Sequence, residues 1–325
     1  MMLLRKILHK INGLKFSKEY LCFPCESIRD FLYAYLVSGS KVIKDITKQH
    51  AFVGYKPLLF SISGIHPSGE DLPHRIRVVF TNSFFHPNDS MEKKDALATL
   101  TMERTARQFT GSLPIALYEG KKGTHRFLSS FHQWALDLEN WFANRKPGNV
   151  YLPGNNYRQV QIAYSLPRNI SLITVGGLNK YNLFPTDLHG QADEQHYIIS
   201  LRKEGKAAKQ VQESGNIVLT QVSSGFFKTA YALGKNHMKE LQEKAALPFD
   251  SQNSSFLKLP LPPEAILYRE LELLESTDHG IHRLFLFRVL CMQRLRDAGD
   301  TLCHIHNVYA SWRVNHGLAG NYLTP

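Results

Sequence analysis

The chain has 325 residues, of which 43% are hydrophobic and 21% charged, and its formal net charge is +11. Its apolar runs are shorter than the roughly 20 residues that cross a bilayer, so we expect a soluble, cytoplasmic protein with a substantial core. Four cysteines at this length exclude a disulfide framework.

The first 18 residues are basic and carry apolar residues at helical spacing. Arg5 and Lys6 stand between Leu4 and Ile7, and the segment contains no acidic residue. It lacks the continuous apolar core and cleavage site of a secretory signal. We expect a basic helix packed on its own domain, with a transit peptide or a membrane-surface helix as the alternatives.

Cys22 and Cys25 form a C-x-x-C pair, which could be redox-active or form half of a zinc site. Cys291 and Cys303 are twelve residues apart and do not supply the compact second half. We therefore expect the cysteines to pack in the core and expect no metal.

Positive charge is concentrated in the first half of the chain. Residues 1–160 contain 22 Lys and Arg against 13 Asp and Glu, a net of +9, whereas the remainder contains 17 against 15. This asymmetry suits an acidic partner, but the basic residues are scattered and no nucleic-acid-binding motif is present. We expect a solvated basic face, with a nucleic-acid-binding or regulatory protein as the alternative.

Residues 1–150 are predicted to form an α+β domain whose function the sequence does not indicate. The predicted helices are 26–38, 91–108 and 127–144, and the predicted strands are 55–64, 74–84 and 113–120. Pro147 and Gly148 mark the predicted boundary, which leaves 151–325 as the second domain.

The second domain is rich in strand-like runs and shows few crossovers. Its predicted strands are 157–164, 169–176, 195–202, 216–223, 264–275, 282–295 and 300–311, and its predicted helices are 203–214 and 226–245. This order favours an antiparallel barrel over a doubly wound sheet. The intervening "YNLFPTDLHG", 181–190, is either an ordinary polar loop or a ligand platform.

The start of the predicted helix at 203–214 has the features of a phosphate site. Gly205 permits close backbone approach, and Lys206 and Lys209 add charge to the free N–H groups of a helix start. The alternative is a solvated first helical turn.

Four segments in this order resemble the flavin reductase family: "YSLPRNISLITV", "NLFPTDLHG", "YIISLRKEGKAAKQVQESGNIVLTQVS" and "DHGIHRLFLFRV". The resemblance covers residues 157–311. It implies an FMN-binding split β-barrel, which here would follow the amino-terminal α+β domain.

The resemblance also implies a set of site residues. Those expected to contact FMN are Asn182, Leu183, Pro185, Thr186, His189, Ser200, Arg202, Lys206 and Lys209. His282 is expected near the flavin and the nicotinamide, with local pairing at a strand start as the alternative. Two features depart from the family: Ala207 and Ala208 stand where many members have Thr or Ser, and Asp187 brings a carboxylate close to the flavin ring.

The implied activity is NAD(P)H-dependent hydride transfer to flavin N5 in a homodimer. It needs alignment of the two rings and no acid–base pair, which agrees with the lack of hydrolase or P-loop motifs in the sequence. A non-catalytic flavin-binding scaffold is the alternative.

Overall fold

The computed structural model describes residues 13–26, 31–63, 72–105, 109, 115–144, 150–297, 300–318 and 320–324. Most of the predicted basic helix at the amino terminus, residues 1–12, lies outside the described residues. The described chain is a mixture of helix and strand in which strands predominate.

The strands of the first half are β1 (Tyr20–Cys25), β2 (Tyr33–Ser38), β3 (Lys41–Asp45), β4 (His50–Tyr55), β5 (Leu58–Ser63), β6 (Arg75–Thr81), β7 (Ala98–Arg104) and β8 (Ile115–His125). Those of the second half are β9 (Arg168–Asn169), β10 (Ser171–Gly177), β11 (Lys180–Thr186), β12 (His189–Gln191), β13 (His196–Arg202), β14 (Asn216–Val222), β15 (Gln242–Glu243), β16 (Ala265–His279), β17 (His282–Arg294) and β18 (Thr301–His306).

The α-helices are α1 (Ser130–Asn144), α2 (Asn155–Ala163), α3 (Lys206–Ser214), α4 (Phe227–Ala232) and α5 (Asn307–Asn315). Short 3-10 helices span Ser224–Phe226, Leu233–Met238 and Lys244–Ala246. Among the described residues, no helix combines the length and the apolar character needed to cross a bilayer.

Three sheets organise the strands, and all their pairings are antiparallel. The first has seven strands in the order β3-β2-β6-β7-β8-β5-β4, and the second has eight in the order β12-β13-β17-β16-β14-β10-β11-β15. The third, β1-β18-β9, joins the beginning of the described chain to its last strand. Neither the closure of a split barrel nor the boundary at residue 150 is tested by this strand order, and both stay predictions.

Several predicted elements are wrong in type. Two predicted helices, at 26–38 and 91–108, contain the strands β2 and β7. β7 alternates buried with half-buried residues, so its two-residue period prevails over the helix-forming Ala, Leu and Met that it contains. The predicted strand at 157–164 is instead helix α2.

The segment 181–190 is neither a plain loop nor a turn, because it contains most of β11 and the start of β12. The last predicted strand, 300–311, ends at His306, where α5 begins. His306 caps α5, since its Nδ1 accepts a hydrogen bond from the Val308 N–H at 3.2 Å.

The two large sheets share one strand order, although the sequence shows no internal repeat. Read from β4, the first sheet runs β4-β5-β8-β7-β6-β2-β3; read from β12, the second runs β12-β13-β17-β16-β14-β10-β11 before β15. If the first seven strands of each order are numbered as they occur along the chain, both sheets have the same spatial order. One cross-strand pair has the same residue types in both sheets, because His50 pairs with Ile62 in the first hairpin and His189 with Ile199 in the second.

The counterpart strands β4 and β12 also contact each other. A Cβ added to Gly190 of β12 would lie 2.5 Å from the Cβ of Ala51 on β4. Ala51 follows His50 as Gly190 follows His189, so equivalent positions of the two sheets meet. An approximate two-fold axis relating the two sheets would bring counterpart positions into contact in this way.

We predict that Gly190→Ala lowers the free energy of unfolding by about 1–3 kcal/mol, because the added methyl group has no room beside Ala51. The matched control is Gly177→Ala, since nothing lies within 4 Å of a Cβ at Gly177. Denaturant unfolding of both variants measures the difference. Equal stabilities would show that the two sheets do not meet as described.

Candidate functional site

A cavity of about 380 Å³ lies where β11 and β13 end and α3 begins. It brings together five of the residues predicted to contact flavin or nicotinamide: Pro185, Thr186, Ser200, Arg202 and His282. The other lining residues are Tyr55, Asp187, Leu188, Leu201, Gly205, Gly234, His237 and Met238. Its size falls within the range of small-molecule sites.

Two polar side chains of this cavity are buried without a hydrogen-bond partner in the described part of the chain. The Ser200 hydroxyl and both ring nitrogens of His282 have no hydrogen-bond partner among the described residues, and each side chain is 1% exposed. Buried polar atoms are nearly always paired, since an unpaired one costs about 1–3 kcal/mol. A ligand that donates to or accepts from these atoms would remove that cost.

Burial and the nearby charge of Arg202 lower the pKa of His282 to about 4. The imidazole is therefore neutral at physiological pH, with one donor and one acceptor nitrogen. Its ring packs edge-on against Tyr55, with 4.6 Å between the ring centroids.

The beginning of α3 borders the cavity through Gly205. No side chain caps the helix there, so its first N–H groups remain available to an anion. A Cβ on Gly205 would lie 3.2 Å from the Arg202 carbonyl oxygen and 3.4 Å from that of His237, so a side chain at this position would crowd the backbone. Ala207 and Ala208 are buried on the inner side of α3.

The two predicted lysines of α3 are paired rather than free. The Nζ of Lys206 lies 2.6 Å from the Glu240 carboxylate, and that of Lys209 lies 3.7 Å from Glu213. Neither lysine lines the cavity, although Lys206 directly follows Gly205. The charge at this helix start is thus partly neutralised.

Tyr55, at the end of β4, is the cavity residue that comes from the first half of the chain. Its hydroxyl accepts a hydrogen bond from the Nε of Arg202 at 2.9 Å, and its ring lies beneath the guanidinium. A residue of the first half of the chain therefore orients the guanidinium of Arg202.

A second cavity, of about 310 Å³, adjoins the first, because Tyr55, Asp187 and Arg202 line both. Its remaining walls include the aromatic rings of Tyr20, Tyr157 and Tyr164, with Glu19 and His304 beside them. A flat ring could pack against such walls.

Asp187 lies between the two cavities and is held by hydrogen bonds. Its Oδ2 accepts from the Tyr164 hydroxyl and from the Nδ1 of His304, each at 2.9 Å. Burial alone would raise the pKa of Asp187, but the hydrogen bonds from His304 and Tyr164 outweigh it and leave that pKa below its usual value. The carboxylate is therefore ionised near neutral pH.

Burial also opposes the charged form of His304, but hydrogen bonds to Asp187 and Cys22 outweigh burial and raise the pKa of His304 to about 9. Its other nitrogen, Nε2, contacts the Tyr231 hydroxyl. The result is a buried ion pair, in which the imidazolium offsets the charge that Asp187 brings to the site.

Several predicted flavin contacts lie elsewhere. Asn182 is fully buried and donates to Gln210 and to the Asn236 carbonyl, while the Leu183 carbonyl accepts from the Asn236 side chain. His189 donates through Nε2 to the Asn169 carbonyl at 3.0 Å, and the Tyr197 hydroxyl lies 2.8 Å from its Nδ1. These side chains are engaged within the protein and do not line the cavity.

Tyr55 and His237 line the cavity, but no local sequence pattern marks either of them. His237 donates from its Nε2 to the Pro185 carbonyl at 2.7 Å and so fixes the end of β11. The sequence marks Asp187 only as a departure from the family pattern. Its hydrogen-bond partners Tyr164 and His304 are far from Asp187 in sequence, so only the three-dimensional structure reveals this group.

Comparison with protein-family models gives no match, and comparison with curated proteins gives none either. Among solved structures, the NADH:FAD oxidoreductase SgcE6 of Streptomyces globisporus C-1027 is 14% identical, with a TM-score of 0.41; 50% of this chain and 96% of that one are covered. BorF, the flavin reductase component of a bacterial two-component tryptophan halogenase, is 15% identical, with coverages of 51% and 97% and a TM-score of 0.38.

An FMN-binding protein from Thermus thermophilus is 21% identical, with coverages of 39% and 72% and a TM-score of 0.35. These structural neighbours are flavin-related proteins that align with about half of the chain or less. At these identities and TM-scores, the similarity assigns neither a family nor an activity to this chain.

We predict that Asp187→Asn destabilises the protein by on the order of 2 kcal/mol near pH 6, because the charged hydrogen bond to His304 is lost. His304 has a folded pKa of about 9, above its usual 6.5, so its stabilising effect is complete below pH 6.5 and disappears as the pH rises through 9. The stability difference between wild type and variant should shrink over that interval.

Thermal unfolding between pH 5 and about 9.5 measures this difference, and NMR of the histidine rings follows His304 directly. A His304 ring that titrates at the ordinary histidine value in the wild-type protein would contradict the ion pair.

Proposed function

We propose that the chain binds FMN in the 380 Å³ cavity and is an NAD(P)H-dependent flavin oxidoreductase. The observation that carries this proposal is that buried polar atoms of Ser200 and His282 have no hydrogen-bond partner among the residues that the structure describes, and that they surround one cavity next to an uncapped helix start. The expected homodimer and cytoplasmic location stay predictions.

The residues present fit the chemistry of FMN. The free N–H groups at the start of α3, with Gly205 before them, would receive the phosphate. The backbone from Thr186 to Leu188 and the Ser200 hydroxyl would face the polar edge of the ring system. Because Lys206 is already paired with Glu240, the phosphate would depend mainly on backbone donors.

The cavity residues would set the electrostatics of the bound ring. Bound FMN would supply an atom that accepts hydride from a nicotinamide. Arg202, held by Tyr55, contributes positive charge, and His282 contributes neutral hydrogen-bonding atoms since its pKa is about 4. His304 balances Asp187, so the carboxylate does not leave a net negative charge beside the ring.

The adjoining cavity would hold the second substrate. It shares Tyr55, Asp187 and Arg202 with the first, and its tyrosine walls suit a flat ring such as nicotinamide. Hydride transfer needs direct contact between the two rings and no acid–base group, so it would take place where the two cavities meet, beside Tyr55, Asp187 and Arg202.

The experiment that tests this function is a titration of the purified protein with FMN, followed by anaerobic addition of NADH or NADPH. We expect FMN to bind with quenching of its fluorescence, and the flavin absorbance to bleach with one of the two nucleotides. Binding without bleaching would support a flavin scaffold instead of a reductase. Absence of FMN binding would reject the assignment of this cavity.

We predict that Ser200→Ala weakens FMN binding about five- to tenfold, because the ligand loses a buried hydrogen-bond partner. Ser171→Ala is a matched control: the Ser171 hydroxyl is also buried without a partner among the described residues, but it lies away from the cavity. Fluorescence titration of both variants measures the change. An equal loss of affinity in the two would mean that Ser200 does not contact the ligand.

A further inference from the structure

Helix α1 turns an aromatic face toward the outside of the protein. Apart from Ser130, every described side chain of α1 that is exposed is large and apolar. These five residues, here called the aromatic face, are Phe131, Trp134, Leu138, Trp141 and Phe142, and they are between 40% and 64% exposed. A helix at the surface of a globular protein normally shows the opposite pattern.

The aromatic face is continuous. At about 100° per residue its five positions fall within an arc of about 100° on the helix. The ring centroids of Phe131 and Trp134 are 6.2 Å apart, and those of Trp141 and Phe142 are 4.7 Å apart. The opposite face of α1 holds the helix in place, since Leu136 and Asn140 are buried there.

The acidic residues of α1 lie beside this face and not on it. Asp137 forms an ion pair with Arg158 at 2.6 Å, and Glu139 is half-buried. An apolar surface of this extent marks a binding site for another molecule.

Charge indicates the kind of partner. α1 belongs to the half of the chain that carries a net charge of +9, and Arg126, just before the helix, is exposed. Two copies meeting through α1 would bring two basic halves together, which is unfavourable, whereas an anionic surface would attract them. Tryptophan, which supplies two of the five residues, is enriched where proteins meet the lipid–water interface.

The first described residue of the chain, Gly13, also lies at α1. A Cβ on Gly13 would lie 3.3 Å from the His132 ring of α1, so the described chain begins beside this helix. The twelve residues before Gly13 include Arg5, Lys6 and Lys10 and no acid.

We infer that the aromatic face of α1 binds the surface of an anionic lipid bilayer and holds the protein at the membrane. Its five apolar side chains enter the interface, and exposed basic residues beside α1, such as Arg126, contact the lipid headgroups. This inference is independent of the proposed flavin chemistry, because none of the five residues lines the cavity assigned to FMN.

The test uses the full chain and vesicles of phosphatidylcholine with about one third phosphatidylglycerol, compared with pure phosphatidylcholine. We expect cosedimentation with the anionic vesicles and a blue shift of tryptophan fluorescence. The shift is specific to α1, because Trp134 and Trp141 are exposed whereas Trp312, the remaining tryptophan of the sequence, is buried. Raising NaCl from about 0.1 to about 0.5 M should weaken the binding severalfold.

The decisive variant is Phe131→Ser with Phe142→Ser, which leaves both tryptophans in place. We expect it to lower vesicle partitioning at least tenfold without changing the melting temperature, because both side chains are exposed. Phe256→Ser, at a 69% exposed phenylalanine outside α1, is the matched control and should bind like wild type.

Three results would overturn the inference. They are failure of the wild-type protein to bind anionic vesicles, equal binding by the double variant, and equal loss in the Phe256→Ser control. Light scattering measures the molar mass of both proteins in solution. If the mass of the double variant is half that of wild type and neither binds vesicles, the aromatic face contacts a second copy of the chain.

Discussion

The close approach of Gly190 to Ala51 is the contact on which the relation between the two large sheets depends. It lets β4 lie beside β12, and β4 then ends at Tyr55, next to Arg202. A second glycine contact lies nearby: Gly280, in the turn between β16 and β17, adopts a φ of 59° and meets the Lys56 carbonyl. Together these contacts place His282 and Tyr55 at one cavity. The candidate site is therefore a product of both halves, although most of its residues belong to the second.

Electrostatics divides the histidines around this site into two kinds. His304 is buried with an acid and is charged, whereas His282 is buried beside a cation and is neutral. The same physical effect, removal from water, opposes charge in both; the sign of the neighbouring group decides the outcome. The two cavities share Asp187 and Arg202 and differ in their histidine, with charged His304 at the wall of one and neutral His282 at the wall of the other.

The sequence predicted the long strands of the second half well, because β10, β13, β14, β16 and β17 are rich in β-branched and aromatic residues and are bounded by turn residues. It failed at α2, where the polar Gln159 and Gln161 alternate with the apolar Val160 and Ile162 as in a strand, although the helix buries all four. The cavity residues of β11 and β13 were predicted from adjacent motifs. Tyr55 could not be, because its place depends on packing between sheets far apart in sequence. Asn182 shares a face of β11 with Thr186 but lies four residues earlier, where its amide donates to Gln210 and to the Asn236 carbonyl, and the sequence does not show these long-range contacts.

The shared strand order of the two large sheets has a consequence for how this protein can vary. In an assembly of identical subunits, every substitution occurs in each copy and must be tolerated in all of them. Here the counterpart positions are separate residues of one chain, as Ala51 and Gly190 already illustrate. One half can thus keep a pocket while the outer surface of the other half changes. The two halves can diverge in sequence although they share one strand order.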